Sequence, residues 1–220
     1  MADPNAGGLR RLRDHVLHPH RRGHGVRLAI AVVSLLVTAA PIERNTVSNI
    51  EKEIFEWINS WPGWLDPFLS TVMQLGNLIA VPLLAVAAIV ATRRLRVGLD
   101  LMLAGTAAWF LARVVKELIV RQRPAELLTE VILRGPPATG LGYVSGHSAV
   151  AAALATVAAA YLGARGTIAV VALASTVAMS RVYVGAHLPL DVIGGAMMGW
   201  ALGSLIHFLV LPKLTHEASE

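Results

Sequence analysis

Six stretches of the chain are long and apolar: Val26 to Ile42, Leu65 to Thr92, Val97 to Val120, Ser148 to Ala164, Gly166 to Ser180 and Leu190 to Leu211. A hydrocarbon core of about 30 Å takes about 20 apolar residues per helix, and fewer where interfacial residues flank the ends. The second stretch is long and carries Pro82, which a membrane helix tolerates. The fourth and fifth are short and alanine-rich, as close packing inside a bundle requires. This pattern predicts an all-α fold, a six-span transmembrane helical bundle over residues 26–212. A tail of residues 1–25 precedes it and a short tail of residues 213–220 follows. No internal repeat or low-complexity linker divides the chain, so one domain is expected.

A different periodicity fills the gap between the first two spans. In "SNIEKEIFEWINSWPGW", Ile50, Ile54, Trp57, Ile58 and Trp61 recur at helical spacing, and Ser48 with Glu51 is placed as a capping box. The segment predicts an amphipathic helix lying at the membrane interface, with its tryptophans at headgroup level.

Composition supports the membrane assignment. The 220 residues are 55% hydrophobic and 15% charged, with a mean hydropathy of +0.60, too apolar for an ordinary soluble domain. With no cysteine, disulfides, thiolate zinc sites and cysteine nucleophiles are excluded. The formal charge of +5 does not point to nucleic acid, because much of the basic excess lies in the N-terminal tail and in short loops between spans. Arg10, Arg11, Arg13, Arg21, Arg22 and Arg27 precede the first span, and Arg93, Arg94 and Arg96 separate the second from the third. By the positive-inside rule both segments are cytoplasmic. Alternation then puts residues 43–66, 121–147 and 181–191 outside and both termini inside. Pro41 follows the small residues Ala39 and Ala40, and the basic leader is long, so the first span is read as an uncleaved anchor. His15, His18, His20 and His24 lack regular ligand spacing and a carboxylate partner, which favours a solvated tail over a metal site.

Two basic segments on the outer face remain to be explained. "KELIVRQRP" closes the third span. Lys116 and Arg123 lie two helical turns apart and share a face, Arg121 falls elsewhere, and Pro124 ends the helix at Arg123. Alone, these residues read first as cations reaching for the headgroups at a span end. "GYVSGHSAV" brings Ser145, Gly146 and His147 to the start of a helix, an anion site or a plain serine cap. "SRVYVGAHLPLD" places Arg181 at one span end, His187 in the loop and Asp191 in the first turn of the last span. There Asp191 can hold one ring nitrogen of His187 and leave the other a better nucleophile. Topology returns all three segments to one membrane face. Together they supply cations for phosphoryl oxygens, N–H groups for a pentacoordinate transition state, and two imidazoles for attack and proton donation.

Lys116 with six residues before Arg123-Pro124, then Ser145-Gly146-His147, then Ser180-Arg181 with five residues before His187 and three more before Asp191, resembles the type 2 phosphatidic acid phosphatase superfamily. The resemblance implies His187 as nucleophile, Asp191 as its partner and His147 as general acid. Lys116, Arg123, Ser145, Gly146 and Arg181 become the phosphate cradle, with no metal or other cofactor required. Val144 stands where that family usually has proline, which loosens the approach to the loop without removing a chemical group. The expectation is a multi-pass cell-membrane phosphatase that takes a lipid phosphate at the outer leaflet and forms a phosphohistidine. On family and topology, a polyprenyl diphosphate ranks first as substrate, ahead of phosphatidylglycerol phosphate or phosphatidic acid. A phosphotransferase using the same phosphoenzyme is the next reading. A transporter is disfavoured because the ionisable residues cluster at one face instead of the midplane, and a haloperoxidase by the six spans.

Overall fold

A computed structural model describes residues 46–210 and, before them, Val26 and residues 29–30, 32–34 and 37–39. The basic tail, its histidines, the reading of an uncleaved anchor and residues 213–220 lie outside the described residues. Every described residue of the first apolar stretch is helical, and Thr38 Oγ1 is hydrogen-bonded with Tyr143 Oη at 2.9 Å.

Eight α-helices follow: α1 (Asn49–Asn59), α2 (Asp66–Met73), α3 (Ala80–Thr92), α4 (Leu95–Leu118), α5 (Pro124–Leu127), α6 (Gly146–Ala159), α7 (Ala164–Tyr183) and α8 (Pro189–Val210). Among the described residues the fold is all-helical. Three helices are long and apolar enough to cross a membrane, namely α4, α7 and residues Pro189–Ile206 of α8. A fourth crossing arises if α2 and α3, bent by 80° at their junction, count as one broken span, and α6 is apolar but shorter.

That bend corrects the continuous second span. A 3₁₀ turn at Gln74–Gly76 ends the first half, and Asn77 is extended. Pro82 stands third in α3, where its missing N–H has no intrahelical acceptor to lose.

The core is built around α6, whose Val150, Ala153, Leu154 and Val157 are buried against α4 and α8. Gly195, Gly199 and Gly203 repeat every fourth residue of α8, and a Cβ at each would strike the Ser145 carbonyl, the Ala149 carbonyl or Thr156. The missing side chains let α8 lie directly on the α6 backbone. Outward faces carry Leu83, Val86, Leu99, Phe110, Ile168 and Val171, all more than half exposed. A face of this kind is covered by lipid, not by water.

Helix α1 forms as expected, with the Ser48 hydroxyl accepting from Glu51 N at 3.2 Å. The reciprocal half of the capping box is absent, because the Glu51 side chain is buried in the protein. Phe55, Ile58 and Asn59 join it on the inner face, while Ile50, Ile54 and Trp57 point outward. Asn59 and Arg134 then sew the 131–134 segment to the ends of α1 and α7. The Asn59 Nδ2 group donates to the Ile132 and Tyr183 carbonyls, and Arg134 Nη1 donates to the Asn59 and Tyr183 carbonyls.

Candidate active site

Helix α4 ends at Leu118, not at Arg123, and the chain runs extended through Arg123 before α5. Lys116 and Arg123 therefore converge by a turn of the backbone and not by sharing a helical face. Lys116 Nζ donates to the Leu141 and Gly142 carbonyls at 2.7 and 3.0 Å. Arg123 donates to the Thr139, Gly140 and Ala186 carbonyls at 2.7 to 2.8 Å. Both cations thus hold the loop that leads into α6, and both keep N–H donors to spare. Arg181, at the buried end of α7, has only the Met73 sulfur within reach of Nη1, and its Nε has no partner. Among the described residues none of these three cations is ion-paired. Arg181 is buried and Lys116 and Arg123 are half-buried, and positive charge in such places without an ion-pair partner is costly.

Ser145 caps α6, with its hydroxyl accepting from Ser148 N at 3.4 Å and from Ser148 Oγ at 2.9 Å. Its own N–H donates to the Asp191 carbonyl at 2.8 Å. That bond, with Gly142 N donating to the Arg121 carbonyl at 2.7 Å, fixes the approach to the loop. Val144, where the family usually has proline, is buried within it. A Cβ at Gly146 would meet nothing nearer than Ala112 Cβ at 3.9 Å. No protein atom demands glycine there, and its open side leaves the first N–H groups of α6 approachable.

His187 is buried beside Asp191, with Nδ1 3.5 Å from Oδ2, longer than a hydrogen bond. Burial holds the imidazole well below its usual pKa, and the charges of Arg181, Lys116 and Arg123 and the neighbouring His147 push the same way. The ring is therefore held neutral. Asp191 Oδ2 accepts from Leu188 N at 2.9 Å, which turns the carboxylate toward the imidazole. His147 sits partly exposed in the first turn of α6.

The residues that the sequence singles out on three distant segments thus lie near one another, with the charges of Lys116, Arg123 and Arg181 all acting on both His147 and His187. The PAP2 superfamily profile matches residues 95–213, which include every one of them. The chain belongs to the PAP2 superfamily. It is 30% identical over 188 residues to an undecaprenyl-diphosphatase of Sulfolobus acidocaldarius, across 83% of this chain and 86% of that one. The crystal structure of Aquifex aeolicus LpxE superposes with a TM-score of 0.64 at 28% identity, over 73% of this chain and 96% of that one. The first transmembrane PAP2-type phosphatidylglycerolphosphate phosphatase from Bacillus subtilis shares the fold with a TM-score of 0.69 at 23% identity, over 86% and 98% of the two chains. As a member of this family the chain is a membrane lipid phosphatase, a hydrolase of phosphoric esters.

Two residues in contact with this cluster escaped the sequence reading. Arg121, expected to point elsewhere, is wholly buried, with Nη1 donating to Asp191 Oδ1 at 2.8 Å and to Glu51 Oε1 at 3.0 Å. Nη2 donates to Glu51 Oε2 at 2.7 Å. The signal available was an arginine two residues before Arg123 and a carboxylate on the inner side of α1. Both are hidden by reading α4 as helical through Arg123 and Glu51 as a capping partner.

Proposed function

We propose that this phosphatase removes the terminal phosphate of a polyprenyl diphosphate at the outer leaflet through a phosphohistidine on His187. The observation that carries the reading is the trio of unpaired cations, Lys116, Arg123 and Arg181, around a buried neutral histidine. In the first step His187 Nε2, free because Nδ1 faces Asp191, attacks the terminal phosphorus. The bridging P–O bond breaks, and the lipid monophosphate leaves with a proton from His147, whose pKa, held down to about 3 by burial and by Arg181, Lys116 and Arg123, rises once the substrate's phosphate charges offset those cations. The three cations, Ser145 and the first N–H groups of α6 gather the oxygens of the pentacoordinate state. In the second step His147 takes a proton from water, the water oxygen bonds to phosphorus, and inorganic phosphate departs as the His187 bond breaks. No step draws on a metal ion.

The polyprenyl chain fits a membrane enzyme with an undecaprenyl-diphosphatase among its relatives. A cavity of about 600 Å³ between α6, α7 and α8 begins at Ser148, beside the cradle, and continues past Ala152, Thr156 and Ala178. It offers the first isoprene units a path between helices. The same reading takes six crossings, with α1 at the outer interface presenting Ile50, Ile54 and Trp57 to lipid and with both termini cytoplasmic.

Purified enzyme assayed in detergent against lipid phosphates, with and without acceptor alcohols, tests this. Polyprenyl diphosphate should give the highest kcat/KM, with inorganic phosphate as product. A higher value with phosphatidylglycerol phosphate or phosphatidic acid, or transfer to an acceptor in place of phosphate release, rejects the assignment. For sidedness, a cysteine at exposed Pro137 should react with an impermeant reagent in intact cells, and one at exposed Arg165 only after lysis. The opposite labelling reverses the orientation.

A further inference from the structure

Arg121 and Glu51 take no part in the steps above, yet they are built into the site more tightly than any cradle cation. One buried guanidinium serves two buried carboxylates, holding Glu51 by two hydrogen bonds and Asp191 by one. Glu51 Oε1 also accepts from Leu190 N at 3.1 Å, at the start of α8. The Asp191 carboxylate is consequently gripped on one oxygen by Arg121 and on the other by Leu188 N. Both oxygens are thereby held, with Oδ2 at 3.5 Å from His187 Nδ1.

Stability alone does not account for this arrangement. Dry ion clusters seldom outperform packed apolar side chains, because desolvation consumes most of the attraction. Two carboxylates on one guanidinium also leave a net negative charge, which is poor glue and a suitable counter-charge for an imidazole that becomes cationic when phosphorylated. A one-to-one Arg121–Asp191 pair would neutralise that charge, whereas sharing with Glu51 preserves it.

We propose that Arg121, fixed by the fork of Glu51, is a positioning residue for phosphoryl transfer: it sets the plane and preserves the charge of Asp191 without touching phosphate. Helix α1 thereby joins the catalytic unit through Glu51. This rests on the reading of His187 as nucleophile and Asp191 as its partner.

The test is a double-mutant cycle on the full-length enzyme in detergent, with Arg121→Lys, Arg121→Gln and Glu51→Gln, each alone and combined with Asp191→Asn. Lysine keeps the charge and loses the fork, so it reports geometry. Each single variant should lower kcat by about tenfold or more with KM changed by less than about threefold. In the Asp191→Asn background each should cost less than about twofold, because its effect passes through Asp191. Losses that multiply independently in that background overturn the proposal. So does a KM that rises as far as kcat/KM falls, which would make Arg121 a phosphate ligand, and so does an unchanged kcat with a lowered melting temperature, which would make the cluster a structural tie. Should Arg121→Gln not give a cooperative melt, the cycle is read on Arg121→Lys and Glu51→Gln. The nucleophile reading fails separately, by His187→Ala retaining a phosphoenzyme, whatever the cycle shows.

Discussion

Replacing Asp191 by asparagine removes one charge and one acceptor from a site where every acceptor is occupied. The native carboxylate accepts from Arg121 Nη1 at 2.8 Å and Leu188 N at 2.9 Å and lies 3.5 Å from His187 Nδ1. An amide has a single oxygen, so either orientation sets its NH2 against a donor, Arg121 in one case and Leu188 N with His187 in the other. The less costly choice keeps the oxygen toward His187 and faces the NH2 to Arg121. The imidazole then keeps an acceptor but loses the carboxylate that holds its orientation and offsets its growing positive charge. Where the 3.5 Å separation closes to a hydrogen bond in the transition state, that charge-assisted bond contributes about 1.5 to 3 kcal/mol, and lost orientation adds to it. A barrier increase of about 2 to 4 kcal/mol corresponds to roughly a 30- to 1000-fold slower phosphoryl transfer. The donor facing Arg121 should also lower stability by about 1 to 3 kcal/mol. Rapid-quench measurement of phosphoenzyme formation in a single turnover, beside thermal unfolding in the same detergent, reads both quantities. Transfer within threefold of the native rate would refute the reasoning, since Asp191 would then not be orienting His187.

Gly146 and Gly195 should fail differently on substitution by alanine. A Cβ at Gly146 meets open space and one at Gly195 meets the Ser145 carbonyl, so Gly146→Ala should keep its melting temperature and weaken vanadate binding, while Gly195→Ala should lose about 1 to 3 kcal/mol. The reverse pattern in melting and vanadate titrations counts against the anion site. Because burial and the surrounding cations hold His187 below its ordinary pKa of 6.5, its ¹⁵N signals, assigned by their loss in His187→Asn, should stay those of a neutral ring as pH falls through 6.5. Protonation at the ordinary value would contradict the burial. Removing His147 in His147→Ala should slow a lipid monoester, whose alkoxide needs a proton to leave, by roughly 100-fold or more, and an aryl phosphate far less. Equal losses would deny it the acid role. Hydrolysis should survive strong chelation, and loss restored by magnesium would require a metal that the mechanism omits.

How much of this was legible in the sequence depended on how local each signal was. The three motifs keep their chemistry within a few residues, so His187 and Asp191, Ser145 to His147, and Lys116 and Arg123 were readable before any fold was known. The expectation that they meet rested on an alternation of six spans, whereas three helices of the structure, or four with the bent pair, are long and apolar enough to cross. Arg121 and Glu51 are 70 residues apart, and their pairing depends on where α4 stops. Ile119 at the end of α4 is extended, four residues before the position that Pro124 suggested, and that difference turns Arg121 inward. The broken second span is a similar case. Gly76, Asn77 and Pro82 are ordinary interruptions in a membrane helix, and only the packing of Gly76 against the His147 backbone, where a Cβ would stand 2.6 Å from the carbonyl oxygen, makes the bend necessary. The outward apolar face of α1 was expected, whereas Phe55 and Asn59 on its inner side were not, because a helix between lipid and protein has two buried faces and periodicity marks only the more apolar one.

The central claim is that the phosphoryl group passes through His187. Polyprenyl diphosphate labelled with ³²P at its terminal phosphate, mixed with enzyme and quenched in alkali within the first turnover, should leave an acid-labile, base-stable label. Proteolysis should map it to the peptide carrying His187, and His187→Ala should show none. Label on the peptide carrying His147, or full turnover with no protein-bound phosphate at any quench time, would contradict it.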